Sequence, residues 1–260
     1  MSFSFIVLAP FAIIIPLESH TKTLQKEWKG IFYIGSLMAL SIALNNISLV
    51  GITLSLNQVI RSSLPVITCL LSVFIEKQMP TIQEAISLLI LSVGVMIAVW
   101  QGTIAGKPQG ILFCISSTVC SAMMMTFSGK LLSENLEVVR LTFYTAPVSL
   151  ICLSPFTACV EMADLSNYLK ENSARAIVIL LMTSINAVAY NIVHYLMIKK
   201  SSSVITTVLG EIKVVGLLIL STYLFEEGKD LTPKMITGCV IAMLGLITYS
   251  QMKIKAFQSN

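Results

Sequence analysis

Residues 52–75 read ITLSLNQVIRSSLPVITCLLSVFI, and the fold turns on the arginine in the middle of them, Arg61. Nine residues from Ile52 to Ile60 precede it and fourteen from Ser62 to Ile75 follow it, and neither flank carries a charge. A run of ~20 apolar residues is what one helix needs to cross a bilayer. Arg61 lies too deep in such a helix to reach either surface comfortably. A cation at that depth costs roughly 2.5–3.5 kcal/mol on insertion scales, so it must face a polar cavity or a partner.

The pattern occurs twice. Residues 203–225, SVITTVLGEIKVVGLLILSTYLF, carry Lys213 at a similar depth. Arg61 falls on Lys213 at an offset of 152 residues and Gly94 on Gly245 at an offset of 151. Glu76 closes the first stretch as Glu226 and Glu227 close the second. The second copy is the fifth apolar segment after the first, an odd number, so the two lie upside down relative to each other. That is the inverted-topology repeat of many secondary transporters, whose substrate site lies near the midplane between the halves.

Outward from these stretches the chain is 260 residues, 55% hydrophobic and 12% charged, with a mean hydropathy of +0.86. A water-soluble globular domain is excluded by that balance. Apolar runs broken by charges and by Pro/Gly clusters fall at 3–17, 30–50, 52–75, 83–103, 109–132, 138–160, 175–197, 203–225 and 233–251. The expectation is an all-α, polytopic membrane protein of about nine transmembrane helices. Residues 1–104 form the first repeat with four helices and residues 105–260 the second with five, so two five-helix units would be complete with one further helix ahead of residue 1.

Loop charge asks for the same helix. Lys22, Lys26, Lys29, Lys77, Lys130, Arg140, Lys199, Lys200, Lys253 and Lys255 fall on one side, and Lys107, Lys170, Arg175, Lys229 and Lys234 on the other. The richer side is cytosolic by the positive-inside rule, which puts the C-terminus in the cytosol and, after nine crossings, the N-terminus opposite. The net charge of +4 is scattered, which excludes a nucleic-acid partner. Six cysteines, Cys69, Cys114, Cys120, Cys152, Cys159 and Cys239, lie inside apolar runs without a CxxC pair and read as packing residues, with no metal or other cofactor implied. No zincin motif, GxSxG elbow or helical Asp pair is present, so no catalytic residue is assigned.

Two membrane-embedded cations at equivalent depths suit a ligand with phosphate groups, Arg61 as a bidentate fork and Lys213 as a point charge. Asn57 and Gln58 stand one turn before Arg61, and Thr206, Thr207 and Gly210 one to two turns before Lys213. Asn45, Asn46, Tyr190, Asn191 and His194 are polar groups on neighbouring helices. The substrate-binding set is therefore Arg61, Lys213, Asn57, Gln58, Thr207, Tyr190 and Asn191. A structural alternative stands beside it, in which the cations pair with Glu211. Residues two apart face different ways on a helix, so Glu211 can reach Arg61 across the bundle but not Lys213 along its own helix.

The stretches NISLVGITLSLNQVIRSSLPVITCLLS, LLSENLEVVRLTFYTAPVSLICLSPF, AYNIVHYLMIKKSSSVITTVLGEIKVVGLLILSTYLF and GCVIAMLGLITYSQMK resemble the triose-phosphate and nucleotide-sugar translocator family of the drug/metabolite transporter superfamily. The resemblance implies ten helices with both termini cytosolic, and phosphate contacts at the positions of Arg61 and Lys213. Val214 after Lys213 departs from the Lys-Arg pair of plastid phosphate translocators and is similar to the nucleotide-sugar branch. The implied function is exchange of a UDP- or GDP-sugar for nucleoside monophosphate across a Golgi or endoplasmic-reticulum membrane, in contact with membrane lipids and with room for a homodimer. Export of another organic anion or phosphate ester, or a non-transporting paralogue, are the alternatives.

Overall fold

The computed structural model describes residues 17–77, 79–100, 107–133, 137–160, 173–224 and 233–258, and every regular element among them is an α-helix. In chain order these are α1 (Leu17–Gly51), α2 (Leu54–Arg61), α3 (Leu64–Ile75), α4 (Ile82–Val99), α5 (Pro108–Ser133), α6 (Val138–Val160), α7 (Ser173–Lys200), α8 (Ser203–Leu224) and α9 (Pro233–Gln258). Seven stretches among the described residues are long and apolar enough to cross a membrane, and α2 with α3 form one of them, Leu56–Ile75. Eight of the nine expected segments thus coincide with helix. The ninth, 3–17, lies almost wholly outside the described residues, as do Glu226 and Glu227.

The differences from expectation lie at helix ends. α1 begins at Leu17, well before the apolar run at residue 30, and α9 continues to Gln258 beyond the run's end at 251. Leu, Lys, Gln and Glu are good helix formers, so a helix outlasts its hydrophobic part where such residues follow. Pro108 opens α5, where a missing N–H costs nothing. Thr81 caps α4 in a reciprocal box, its hydroxyl accepting from Glu84 N–H (3.3 Å) while Glu84 Oε2 accepts from Thr81 N–H (3.2 Å). The joint between the second and third segments contracts to Ile52 and Thr53, with Thr53 Oγ1 accepting from Leu56 N–H at 3.3 Å to start α2.

The third segment is interrupted. Pro65 lies in the first turn of α3 and has no N–H to give the carbonyl four residues back, that of Arg61. The helix ends at Arg61 and resumes at Leu64 after a turn at Ser62 and Ser63. Arg61 is left in the last turn of α2, where the helix dipole favours a cation by ~0.3–1 kcal/mol.

The described chain forms two compact units. One comprises residues up to Ala43 with Phe127–Ser202, hence most of α1, the end of α5, α6 and α7. Its tightest approach sets Gly35 against α6: a β-carbon there would lie 2.8 Å from Val148 Cβ, and Ser149 donates to Gly35 O at 2.9 Å. The other comprises Leu44–Thr126 and Ser203–Asn260. Each unit draws helices from both of the expected sequence halves.

The second unit is built on an antiparallel crossing of α4 and α9. A β-carbon on Gly94 would meet the backbone of Ala242 and Gly238, one on Gly238 that of Ala98 and Gly94, and one on Gly245 that of Leu91 and Ser87. Close backbone approach through small residues is how helices associate where lipid leaves no hydrophobic drive. Around this seam Leu88, Leu91, Val95 and Ala242 pack with Cys69 of α3 and Val204, Val208 and Val215 of α8. At one end Lys253 pairs with Glu84 at 2.8 Å, tying α9 to the capping box of α4.

Candidate functional site

The cation network grows from the end of α1. Asn45 and Ser48 are one turn apart and share a helix face, and Ser48 Oγ donates to Asn45 O at 2.7 Å. Across from them Asn57 and Arg61 are spaced four apart on α2. Asn57 Nδ2 donates to Ser48 Oγ (3.0 Å) and to Asn45 Oδ1 (3.2 Å), and Arg61 Nη1 donates to the same Oδ1 (3.0 Å). Asn57 is 1% exposed and Ser48 is fully buried, so the network is an interior one. On its other side Cys114 of α5 donates its thiol to Asn57 O at 3.7 Å.

Asn45 thus fixes the Arg61 side chain without neutralising it. Among the described residues no carboxylate lies within ion-pair distance of Arg61; the pairs found are Lys26–Glu27, Arg140–Glu137 and Lys253–Glu84. Glu211 of α8, the acid that the sequence offers as the partner of Arg61, makes no ion pair with it among the described residues. Glu211 is 6% exposed on the packed face of its helix, in register with Val208 and Val215.

Lys213 looks the other way. It is exposed, as are Leu209, Gly210 and Gly216, and a β-carbon on either of these glycines would meet nothing within 4 Å. Gly210 and Lys213 lie on the exposed stripe of α8, whereas Thr206, one turn earlier, is buried. The split between the two charges follows from helix geometry, since two residues turn the direction by about 200°.

Of the expected substrate residues, the structure joins Asn57 and Arg61 through their shared acceptor, Asn45 Oδ1. Gln58 is half-buried, and its carbonyl accepts from Ser62 N–H (2.9 Å); its side chain is not part of the network. Thr207 is buried with its hydroxyl on its own helix, donating to Val204 O at 2.7 Å. Lys213 stands on the open face of α8, in the same unit. Tyr190 and Asn191 belong to the other unit, where exposed Tyr190 stacks on His194 with ring centroids 5.7 Å apart. Asn45 and Ser48 complete the network around Arg61, and the expected substrate set lacked them. Their signal was present as an Asn–Ser pair at i,i+3 in one segment, matched by an Asn–Arg pair at i,i+4 in the next. Asn46, between them, is exposed.

Beyond the interrupted span Glu76 caps α3. Both its carboxylate oxygens are buried, and neither it nor the neighbouring Ser203 hydroxyl makes a hydrogen bond of good geometry among the described residues. Burial pushes the Glu76 carboxyl above its ordinary range, with Ser203 partly offsetting the rise.

A multi-pass helical membrane protein holding a braced, un-neutralised cation within a broken span has the construction of a solute carrier. Residues 1–250 match the Triose-phosphate Transporter family, and the chain belongs to that family. It is a family of transporters rather than enzymes, which implies a small-molecule substrate and a membrane environment. Among curated relatives, UDP-uronic acid transporter 1 of Arabidopsis thaliana is 26% identical over 252 residues, covering 94% of this chain and 79% of the relative. Two Arabidopsis proteins named probable sugar phosphate/phosphate translocator are also similar. One is 26% identical over 236 residues, covering 87% of this chain and 63% of its own length. The other is 27% identical over 262 residues, covering 97% and 70%.

Proposed function

We propose that this chain exchanges a nucleotide sugar for a nucleoside monophosphate across an internal membrane, with Arg61 and Lys213 as the phosphate contacts. One observation carries the reading: Arg61 sits inside a membrane span, held in place by the neutral Asn45 amide at 3.0 Å. A contact ion pair would have no charge left to offer, whereas this arginine is held by a neutral amide, with no carboxylate in ion-pair distance among the described residues. Arginine's fork suits phosphate oxygens, and a positioned fork loses little freedom on binding.

The inverted repeat supports the same reading. The offset of 151 that superposes Gly94 on Gly245 also carries the α4–α9 contacts onto themselves, since Gly94 meets Ala242 and Gly238 where Gly245 meets Leu91 and Ser87. Exchange follows from the charges, because an empty site would move uncompensated cations through the membrane. The nucleotide-sugar choice rests on Val214 after Lys213 and on the UDP-uronic acid transporter among the relatives. Sugar phosphate for phosphate exchange is the second reading, favoured by the names of the other relatives. The excess of Lys and Arg on one side supports a cytosolic C-terminus in a Golgi or reticulum membrane.

Proteoliposomes preloaded with UMP, GMP, CMP, AMP or inorganic phosphate, offered labelled nucleotide sugars and sugar phosphates, test the function. Uptake that requires a preloaded nucleoside monophosphate is expected. Uptake driven by preloaded phosphate alone selects the second reading, and uptake indifferent to preloading overturns exchange. A C-terminal tag protected from protease in sealed vesicles would overturn the orientation.

A further inference from the structure

Lengthwise, α7 divides into three faces. The helix packs on α6, and Val188, Tyr195 and Ile198 mark its buried side. Val178, Met182, Ile185, Val193 and Leu196 form a second face, exposed and wholly apolar, which is the composition of a surface in lipid. On the remaining edge Thr183, Asn186, Tyr190 and His194 follow one another at spacings of three, four and four, a single stripe of a helix. Thr183, Asn186 and Tyr190 are exposed, and the half-buried His194 stacks on Tyr190 with ring centroids 5.7 Å apart. Asn186 lies nine residues beyond Ile177 in an apolar span that runs to Lys200. That is ~14 Å along the axis, close to the middle of a hydrocarbon layer ~30 Å thick. Lipid has neither donor nor acceptor for a side-chain amide at that depth.

A second helix is the other way to cover such an edge. The closest helix crossing in this chain, however, is made through glycines, at Gly94, Gly238 and Gly245, and α7 has none. The edge instead presents an amide, a hydroxyl and two stacked rings, and no Lys, Arg, Asp or Glu occurs from Ile177 to Ile198. We propose that this edge of α7 faces an aqueous passage, and that Asn186, with Thr183 one turn away, hydrogen-bonds the uncharged part of the transported ligand, its sugar or its nucleoside. This deepens the exchange reading and rests on it. A side-chain amide donates to one group and accepts from another, which suits hydroxyls and the polar edge of a base. Thr183 already donates its hydroxyl to Ile179 O (2.8 Å) and Leu180 O (3.1 Å), so its oxygen is left to accept from a ligand hydroxyl. Phosphate, which carries charge and accepts strongly, is the business of cations; an uncharged edge has nothing particular to offer it.

Thr183→Cys, Asn186→Cys, Met182→Cys and Ile185→Cys, each in the full chain in proteoliposomes, are offered a charged methanethiosulfonate reagent that reacts only from water. The unsubstituted chain sets the background of its own cysteines. Thr183→Cys and Asn186→Cys are expected to label above that background, and Met182→Cys and Ile185→Cys to stay at it. Labelling of none of the four, as under lipid or a partner helix, or of all four alike, overturns the aqueous edge. Binding of UDP-glucose, UMP and inorganic phosphate is then compared in wild type and Asn186→Ala, phosphate being the ligand without an uncharged part. Loss of one neutral hydrogen bond is expected to weaken UDP-glucose by about two- to tenfold and to leave phosphate as it was. A matching loss for UMP assigns the contact to the nucleoside, and an unchanged UMP affinity assigns it to the sugar. Asn186→Ala that binds UDP-glucose like wild type, or that loses all three ligands equally, overturns the ligand contact. Should Asn186→Ala fail to fold, protection of Asn186→Cys from labelling by UDP-glucose but not by phosphate decides. If wild type binds none of the three, the exchange reading fails, while the labelling pattern still decides whether the edge meets water.

Discussion

Replacing Asn45 separates the two tasks Arg61 faces, being held and being charged. Asn45→Ala removes one acceptor that serves both Arg61 (3.0 Å) and Asn57 (3.2 Å). The first bond is charge-assisted, worth ~1.5–3 kcal/mol, and the second is neutral, worth ~0.5–1.5 kcal/mol. Asn57 keeps Ser48 Oγ at 3.0 Å and half-buried Arg61 can recruit water, so the low ends add to about 2 kcal/mol. On the scale of a chain this long that lowers the melting temperature by ~4–8 °C. Asn45→Asp keeps an acceptor in place and puts a full charge opposite the guanidinium, a gross attraction of about 5 kcal/mol at an effective dielectric of ~20 before desolvation. Its melting temperature should hold or rise. Anion binding should nevertheless drop by about ten- to a hundredfold, because Arg61 is then neutralised and the ligand forfeits a charge-assisted contact of ~1.5–3 kcal/mol. The assays are thermal melting in detergent and binding of UDP-glucose, UMP and phosphate by the same preparations. An Asn45→Asp protein that melts normally and binds these anions like wild type would refute the assignment of Arg61 to the ligand.

Lys213→Ala should leave melting within a degree or two, since the side chain is exposed, while weakening anion binding by about ten- to a hundredfold; Lys213→Arg should be milder, and unchanged exchange by Lys213→Ala removes it from the site. Gly94→Val forces a branched side chain against α9, where a β-carbon alone would lie 2.7 Å from Ala242 Cα, so a loss of at least ~1–3 kcal/mol or failure to fold is expected, and an unaltered melting curve would contradict the close crossing. Glu76 has its carboxyl raised by burial, so the native state holds its proton more tightly than the unfolded chain, and its contribution, complete at low pH, is lost as pH rises through the native value. Glu76→Gln should therefore melt higher than wild type at neutral pH and lose that part of the pH slope; a variant that melts lower at neutral pH refutes the burial argument.

The sequence carried the helices well because a membrane leaves few choices. A chain that must satisfy its backbone inside lipid is read by apolar length alone, and the run at 138–160 coincides with Val138–Val160 despite Pro147 and Pro155 within it. Arg61 was equally legible as an isolated charge, since none other lies between Lys29 and Glu76. What apolar length cannot convey is where a helix stops once it leaves the lipid, hence the missed first turns of α1. Nor can it say which helices touch. The Asn45–Asn57–Arg61 network depends on the end of α1 folding back against α2 through the two-residue joint at Ile52 and Thr53, and on Pro65 ending α2 at Arg61. Each residue was visible, but the contact belongs to tertiary structure.

The arrangement around Arg61 separates holding the side chain from neutralising it, two roles that one salt bridge would combine. Asn45 gives it a fixed direction through a short hydrogen bond to a neutral oxygen, so its fork is already ordered when a ligand arrives and little entropy remains to be lost. A contact carboxylate in place of Asn45 would fuse the two roles and would have to be pulled away in every cycle. Separating them would let Arg61 keep its geometry with and without an anion, and that is the condition under which the proposed site could take one anion after another in exchange.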